Sequence, residues 1–361
     1  MGATGRERLT FRRAGRFLAP AAASAALLFG APPGAAPPAK PAAKVKLATL
    51  APRGSSFHQI LLSMGEKWRS APGGGVALTV YPDGAMGGEA DVVRKMRIGQ
   101  VQAAMLTAVG LSEIDESVSA VQFMPMTFRS LREVDAVNER MRPLLEKRIL
   151  DKGFVVLFWG DAGWIRLFSK EQALRPSDVK PMKLFSWAGD NRSLDILKAA
   201  GYKPVPLETG DILPGFQTGL INAVFTIPYY ALTTQIFSSA PHMLELNWAP
   251  LLGGTVVTRK AWDAIPAVAQ AELRASAQEA GDQIKARSRK EGDEAVEAMK
   301  KRGRAVHPLT PELEAEWRSA AEAVYPQIRG TMVPVDLFDE VQRLLREYRA
   351  AQEKPAETPK A

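Results

Sequence analysis

Short apolar runs alternate with amphipathic segments along the first third of the chain, and glycine or proline separates most of them. Residues 45–50 alternate between polar and apolar positions and predict a strand. A helix ending near residue 69, a strand at residues 76–81, a second helix ending near residue 99 and a strand at residues 100–107 follow. This order of strand, helix, strand, helix and strand predicts a largely parallel sheet covered by helices.

A later apolar run, Met-Lys-Leu-Phe-Ser-Trp at residues 182–187, lies between Pro181 and a break at residues 188–191. The pattern predicts a buried strand that ends in a loop and feeds a helix. Ligands of α/β folds bind where strand ends meet helix starts. Phe185 and Trp187 are therefore predicted to contact a ligand.

Further runs extend the pattern into the second half of the chain. Residues 154–159 and 164–169 predict two strands, and residues 243–248 and 254–258 predict two more that return to the first part of the sheet. Residues 266–303 are strongly charged and predict one helix, which at 1.5 Å per residue is longer than one lobe of such a chain. This helix is expected to tie two lobes together.

A chain of 361 residues is long enough for two domains. The predicted parts are a first lobe at residues 45–160 and 249–265, a second lobe at 161–248, the bridging helix at 266–303, C-terminal helices at 304–350 and a loose tail at 351–361. No internal repeat is recognisable in the sequence.

Residues 1–36 have the pattern of a secretory signal peptide, with a basic start, an Ala-rich apolar run and small residues near a cleavage site. A transmembrane anchor is the alternative, but a run this short, interrupted by Pro20, spans a bilayer poorly. Arg12 and Arg13 leave the general secretory route and the twin-arginine route both open. Residues 37–44 are rich in Ala, Pro and Lys and predict a disordered spacer.

The sequence contains no cysteine, which excludes disulfides, thiolate metal sites, a cysteine nucleophile and the acylated cysteine of a lipoprotein. The exported protein is therefore expected to be soluble and not lipid-anchored. The net charge of +8 arises largely in residues 1–40, where six basic residues face one acidic residue and leave the rest at +3. This balance gives no support for a nucleic-acid partner.

Known catalytic and metal-binding patterns are not recognisable in the sequence. His58, His242 and His307 do not fall in a metal-ligand spacing, and no nucleophile–base pair or phosphate loop appears. We therefore expect no enzymatic activity and no cofactor, although carboxylates that only folding brings together stay open. The Gly-Gly pair before Glu89 fits an anion cradle, or a tight turn with Glu89 near the helix dipole, which we prefer.

Six segments in a fixed order, spread over nearly three hundred residues, carry a resemblance to a known family. They lie at residues 46–49, 81–89, 97–104, 175–180, 200–206 and 216–223. Through them the chain resembles the solute-binding subunits of tripartite ATP-independent periplasmic (TRAP) transporters, the DctP family. The resemblance implies a two-lobed periplasmic-binding-protein fold, in which bridging strands and a long hinge helix join lobes that close on a ligand.

Three positions that the resemblance assigns to ligand binding differ in this chain. Phe185 stands where the family has an arginine that clasps a ligand carboxylate, and Thr226 stands where the family has an asparagine. A second family arginine is replaced by Ile165, with Arg166 one position later and so on the other strand face. Without a guanidinium, a buried ligand carboxylate loses its hydration and gains no ion pair to replace it. A hydrophobic or amphiphilic ligand is therefore predicted.

The predicted ligand-binding residues are mostly aromatic and lie at strand ends or in loops. They are Phe57, Met124, Trp164, Arg166, Phe185, Trp187, Phe225, Thr226, Tyr229, Tyr230 and Trp248. Core packing is the alternative for each apolar or aromatic side chain in this set, and a salt bridge is the alternative for Arg166.

The resemblance implies an extracytoplasmic receptor in the periplasm that binds a small molecule and passes it to the TRAP membrane permease subunits. The alternative is an adaptor or scaffold on the same fold that acts with a helical-repeat periplasmic partner. Tyr229 and Tyr230 would suit such a contact. A permease encoded beside this chain would favour the transport interpretation.

Overall fold

The computed structural model describes residues 43–353, which build one mixed sheet flanked by helices. The predicted signal peptide at residues 1–36, most of the predicted spacer and the tail beyond residue 353 lie outside the described residues. The spacer prediction is corrected at its end, because Ala43 and Lys44 already pair with the second strand. Residues 351–353, predicted as tail, belong to the last helix.

The described residues form nine strands and fourteen α-helices. The strands are β1 (Ala43–Thr49), β2 (Val76–Tyr81), β3 (Ala103–Thr107), β4 (Phe154–Ser169), β5 (Lys183–Trp187), β6 (Lys203–Leu207), β7 (Ala223–Thr226), β8 (His242–Thr258) and β9 (Ala305–His307). The helices are α1 (Ser56–Arg69), α2 (Glu89–Arg97), α3 (Ala108–Ser112), α4 (Leu131–Asp151), α5 (Pro176–Val179), α6 (Asn191–Ala199), α7 (Ile212–Thr218), α8 (Pro228–Thr233), α9 (Ile236–Ser239), α10 (Arg259–Asp263), α11 (Ala267–Lys301), α12 (Pro311–Glu322), α13 (Tyr325–Ile328) and α14 (Val335–Glu353). Not one of these helices is long and apolar enough to span a membrane.

The sheet has the order β2-β1-β3-β8-β4-β7-β5-β6, with β9 added beside β8. Strand β1 runs parallel to β2 and β3, which confirms the predicted strand–helix–strand–helix–strand start. At the other end of the sheet, β5 runs parallel to β6 and β7. The long strands β4 and β8 lie between these two parallel groups and pair antiparallel with each other.

Each of the two central strands is continuous where the sequence predicts two strands. The predicted strands at residues 154–159 and 164–169 are both parts of β4, and those at 243–248 and 254–258 are both parts of β8. Pairing continues through the Gly-rich middle of β4 with a register shift between Asp161 and Trp164. Gly163 has a φ of 80°, which glycine adopts without strain, so the predicted break is an irregularity within one strand.

Helix α11 is 35 residues long, about 52 Å at the usual rise, and it packs along β4. Pro266 stands at its N-cap, and a separate short helix, α10, precedes it. The helix lies close to the sheet at Gly281, where an added Cβ would lie 2.7 Å from Cβ of Phe158. Glycine is needed there because the side chain of Phe158 already fills that space.

The C-terminal helices α12 and α14 contact two separate parts of the chain. Trp317 on α12 is fully buried, and its Nε1 donates to the carbonyl of Leu174 at 2.8 Å. On α14, the guanidinium of Arg349 donates to both carboxylate oxygens of Glu133 on α4, at 2.8 and 2.9 Å. The C-terminal segment therefore fastens helices from separate parts of the chain.

A pair of histidines joins β9 to the start of β8. Nδ1 of His242 and Nε2 of His307 are 3.0 Å apart, and the two rings stack with an angle of 10° between their planes. Burial and the neighbouring imidazole of His242 lower the pKa of His307 below its usual value. The folded protein therefore favours the neutral imidazole at this position.

We expect the stability of the protein to decrease as the pH is lowered, because of His307. Because the pKa of His307 is lower in the folded protein, the unfolded chain binds more protons below about pH 6.5, the ordinary histidine value. The stabilising contribution is complete above that pH and is lost as the pH falls towards the folded pKa. In His307→Asn, the drop in melting temperature between pH 7.5 and pH 5.5 should shrink, and the comparison at pH 8 isolates the pH-independent cost of the substitution. An unchanged pH slope in the variant would contradict this expectation.

Candidate ligand-binding cavity

A cavity of about 150 Å³ opens where the carboxyl ends of β1 and β3 from one parallel group meet those of β5 and β7 from the other. The last residues of β1, β3, β5 and β7, namely Thr49, Thr107, Trp187 and Thr226, all line it. The middle of β4 and of β8, one turn of α8 and Ile284 of α11 also line it, as do residues of α1, α2 and α7. The wall thus draws side chains from both parallel groups of the sheet and from the long helix that lies across them.

Seven of the eleven predicted residues line this cavity. They are Phe57, Phe185, Trp187, Phe225, Thr226, Tyr229 and Tyr230. Phe185 is buried and its ring meets that of Trp187 edge to face, with centroids 5.2 Å apart and an angle of 75° between the planes. The two rings emphasised by the sequence pattern therefore lie together at one wall.

Met124 and Trp164 do not line the cavity, and their predicted placement is corrected. Met124 is 1% exposed and belongs to the core between the sheet and α4. Trp164 is half-buried and packs against the same core. Core packing, the alternative interpretation for both side chains, describes their surroundings.

Trp248 and Arg166 also lie away from the cavity lining. The ring of Trp248 stacks on Phe225 with centroids 4.9 Å apart, so it supports a cavity residue from behind. Arg166 lies opposite Thr226 in the strand pairing and approaches Glu245 at 3.6 Å. Burial lowers the pKa of Arg166, and Glu245 offsets part of that effect. The predicted alternative of a salt bridge accounts for Arg166.

Glu89 lines the cavity, although the sequence pattern did not indicate it as a site residue. Its Oε1 accepts from the backbone N–H of Thr107 at 2.7 Å. Its Oε2 accepts from the backbone N–H of Gly110 at 3.0 Å and lies 2.5 Å from the hydroxyl of Thr107. Burial raises the pKa of Glu89, although these hydrogen bonds oppose the rise. The carboxylate holds the end of β3 to the start of α3.

Asp161 is a second carboxylate of the wall that no sequence pattern indicated. Its side chain is 4% exposed and accepts from Nη2 of Arg289 on α11 at 2.8 Å. The same guanidinium donates two further bonds to Asp135 on α4, at 2.7 and 2.9 Å. Burial alone would lower the pKa of Arg289, but the hydrogen bonds to Asp135 and Asp161 raise it above its usual value. Arg289 therefore neutralises Asp161, which is the one of its two carboxylate partners that lines the cavity.

The tyrosines of α8 connect the cavity to other elements. The hydroxyl of Tyr229 accepts from the backbone N–H of Ser56 at 3.2 Å, and the hydroxyl of Ser56 donates to Glu291 on α11 at 2.6 Å. Burial, and to a lesser degree Asp83, raises the pKa of Tyr230 to about 12. The phenol of Tyr230 therefore stays neutral at physiological pH.

None of the described residues that line the cavity is Lys, Arg or His, and most of the wall is apolar. Both wall carboxylates are already engaged inside the protein, as described for Glu89 and Asp161. No group of three or more His, Asp or Glu side chains within residues 43–353 is arranged to hold a metal ion. The wall thus offers rings and methyl groups to a ligand, and no positive side chain to an anion.

The chain belongs to the bacterial extracellular solute-binding proteins of family 7, DctP, whose family model matches residues 47–330. This match confirms the resemblance to the TRAP solute-binding subunits. The chain is 21% identical to the C4-dicarboxylate-binding periplasmic protein DctP of Rhodobacter capsulatus over 257 residues, which are 71% of this chain and 77% of that protein. It is 22% identical to the 2,3-diketo-L-gulonate-binding periplasmic protein YiaO of Escherichia coli, over 72% of this chain and 78% of that protein.

Solved structures of TRAP periplasmic solute-binding proteins share the fold. The protein from Sulfurospirillum deleyianum with bound succinate superposes with a TM-score of 0.77 at 20% identity, over 84% of this chain and all of that chain. The protein from Xanthobacter autotrophicus with bound β-D-galacturonate superposes with a TM-score of 0.76 at 16% identity, over 84% of this chain and 99% of that chain. The predicted two-lobed α/β fold is confirmed.

Proposed function

We propose that this protein is the periplasmic receptor of a TRAP-type transporter and that it captures a small apolar or amphiphilic molecule in the cavity. The observation that carries the proposal is the cavity wall, which contains no Lys, Arg or His among the described residues. Phe185 occupies the position at which the resemblance implies a carboxylate-binding arginine. The bound molecule would then be presented to membrane permease subunits.

The chemistry of the wall favours burial of apolar surface. A ring that buries about 150 Å² gains about 4 kcal/mol at the usual 25 cal/mol per Å². A dicarboxylate placed here would lose its hydration without gaining a cation. The wall therefore supports an apolar ligand over the acids named for several relatives.

The proposed apolar ligand differs from the acids for which two relatives are named or with which they were solved. The Rhodobacter capsulatus relative is named for C4-dicarboxylates, and the Sulfurospirillum deleyianum structure holds succinate. If this chain kept that specificity, an uncompensated dianion would have to enter a cavity lined by rings such as those of Phe57, Phe185 and Phe225.

The helical-repeat partner stays a prediction, and no contact among the described residues favours it over transport.

A ligand screen on the purified chain tests the proposal. Calorimetric titration should detect binding of small aromatic or aliphatic molecules, and native mass spectrometry should detect a co-purifying lipid-like or aromatic molecule. Succinate and sialic acid serve as the comparison ligands and should bind weakly or not at all. Tight binding of either acid, with no apolar ligand bound, would refute the proposal. Identical melting with every ligand would favour the adaptor role.

A further inference from the structure

Three aromatic rings contact one another beside the cavity, and one of the three lines it. Phe225, the last residue but one of β7, is the ring that lines the cavity. It stacks on Trp248 of β8, with centroids 4.9 Å apart and an angle of 23° between the planes. Trp317 of α12 meets both rings edge to face, with its centroid 6.2 Å from that of Phe225 and 5.8 Å from that of Trp248. A residue of the C-terminal segment therefore supports the cavity wall from outside.

The indole of Trp317 is held in one orientation. The side chain is fully buried, and its Nε1 donates to the carbonyl of Leu174 at 2.8 Å. Because this N–H is the single polar group of the side chain, the ring cannot turn away from Phe225 without leaving a buried donor unpaired. Edge-to-face contact is also a preferred geometry for aromatic rings. Trp317 therefore offers Phe225 a fixed surface.

The next residue of α12 holds the backbone of the stacked tryptophan. Nη1 of Arg318 donates to the carbonyl of Met126 at 2.9 Å, and the N–H of Met126 donates to the carbonyl of Trp248 at 2.6 Å. Met126 has a φ of 54°, which is uncommon for a residue other than glycine. Such conformations persist where the surrounding structure holds them. Two consecutive residues of α12 thus fix Trp248, one at its ring and one through its backbone.

We propose that Trp317 is a positioning residue of the cavity, and that it limits the size of the ligand by holding the ring of Phe225 in place. This inference rests on the proposed function and narrows the ligand class to apolar molecules of one ring with few substituents. A cavity of about 150 Å³ is comparable to an engineered apolar cavity that holds benzene. A smaller side chain at position 317 would leave a space into which neighbouring side chains relax in part. The wall at Phe225 would then recede and admit a larger ligand.

Two ring compounds of different size test the proposal on the whole purified chain. Toluene carries one methyl group and 1,3,5-trimethylbenzene carries three, and calorimetric titration gives the dissociation constant of each. The unaltered chain should bind toluene more tightly. In Trp317→Leu, the preference for trimethylbenzene over toluene should rise about tenfold, because each further methyl group that is buried raises affinity about fourfold. Trp317→Phe keeps a ring at this position, so the same shift should be about threefold.

The control variants are Trp68→Leu and Trp68→Phe. Trp68 of α1 is as fully buried as Trp317 and does not line the cavity, so both variants should lose stability and keep the size preference unchanged. Melting curves verify that each variant is folded, and Trp317→Phe decides the question if Trp317→Leu does not fold.

Three outcomes would overturn this inference and leave the proposed function standing. They are an unchanged size preference in Trp317→Phe, an equal shift in Trp68→Phe, and trimethylbenzene binding to the unaltered chain as tightly as toluene. Succinate binding with neither ring compound bound would overturn the proposed function and this inference together.

Discussion

Replacing Arg289 with leucine is expected to lower the free energy of unfolding by about 3–5 kcal/mol, the usual cost of removing one partner from a buried ion pair. Arg289 joins α11 to Asp135 of α4 and to Asp161 of β4. Without the guanidinium, the buried carboxylate of Asp161 would face the cavity wall unpaired. Chemical denaturation at neutral pH measures the change.

The double variant Arg289→Leu with Asp161→Asn separates charge from packing. Asparagine removes the unpaired charge, so this variant should recover a large part of the stability that the single variant loses. A control on an exposed pair, Arg140→Leu, should cost less than about 1 kcal/mol, because Arg140 and Glu347 are both well exposed. Equal losses for Arg289→Leu and Arg140→Leu would contradict the proposed importance of the buried network.

Replacing Phe185 with arginine is expected to invert the ligand preference of the cavity. The variant loses a ring that lies against Trp187 and gains a guanidinium that can bind a carboxylate through two parallel hydrogen bonds. Affinity for an apolar ring compound should fall at least about tenfold, which corresponds to about 1.4 kcal/mol. Affinity for succinate should rise to a level that calorimetric titration detects.

Phe185→Gln is the matched control, because it removes the ring without adding a positive charge. It should lose apolar binding as Phe185→Arg does and should gain no succinate affinity. Melting curves are needed for both variants, since Phe185 is buried and a charge placed there costs stability. If Phe185→Arg and Trp187→Ala both leave binding of the apolar ligand unchanged, this interpretation of the cavity is wrong.

Local patterns in the sequence predicted the elements that local forces determine. The run at residues 182–187 is followed by loop and helix, and the structure has β5 followed by α6. The middle of β4 was not predicted, because its glycines have the composition of a loop. Its strand conformation depends on pairing with β8, where Asp161 lies opposite Leu252. That partner is distant in the chain, so no local pattern indicates it.

The same distinction separates the predicted cavity residues from the missed ones. Phe185 and Trp187 were predicted because ligands of α/β folds bind where strand ends meet helix starts, and both residues line the cavity. Glu89 was read correctly as the start of a helix, but its hydrogen bonds to Thr107 and Gly110 required the fold. The Gly-Gly pair before Glu89 was the available signal, since it marks a tight approach to a helix start.

Strands β4 and β8 join the two parallel groups of the sheet, so one group cannot be separated from the other without breaking the pairing between β4 and β8. A truncated chain that ends inside β4 would expose unpaired strand edges from both lobes, and such edges promote aggregation. A single-residue insertion in β4 would turn the following side chains to the opposite face of the sheet. New ligand specificities in this family are therefore expected to arise by substitution at lining positions such as Phe185, and not by exchange of whole lobes between relatives.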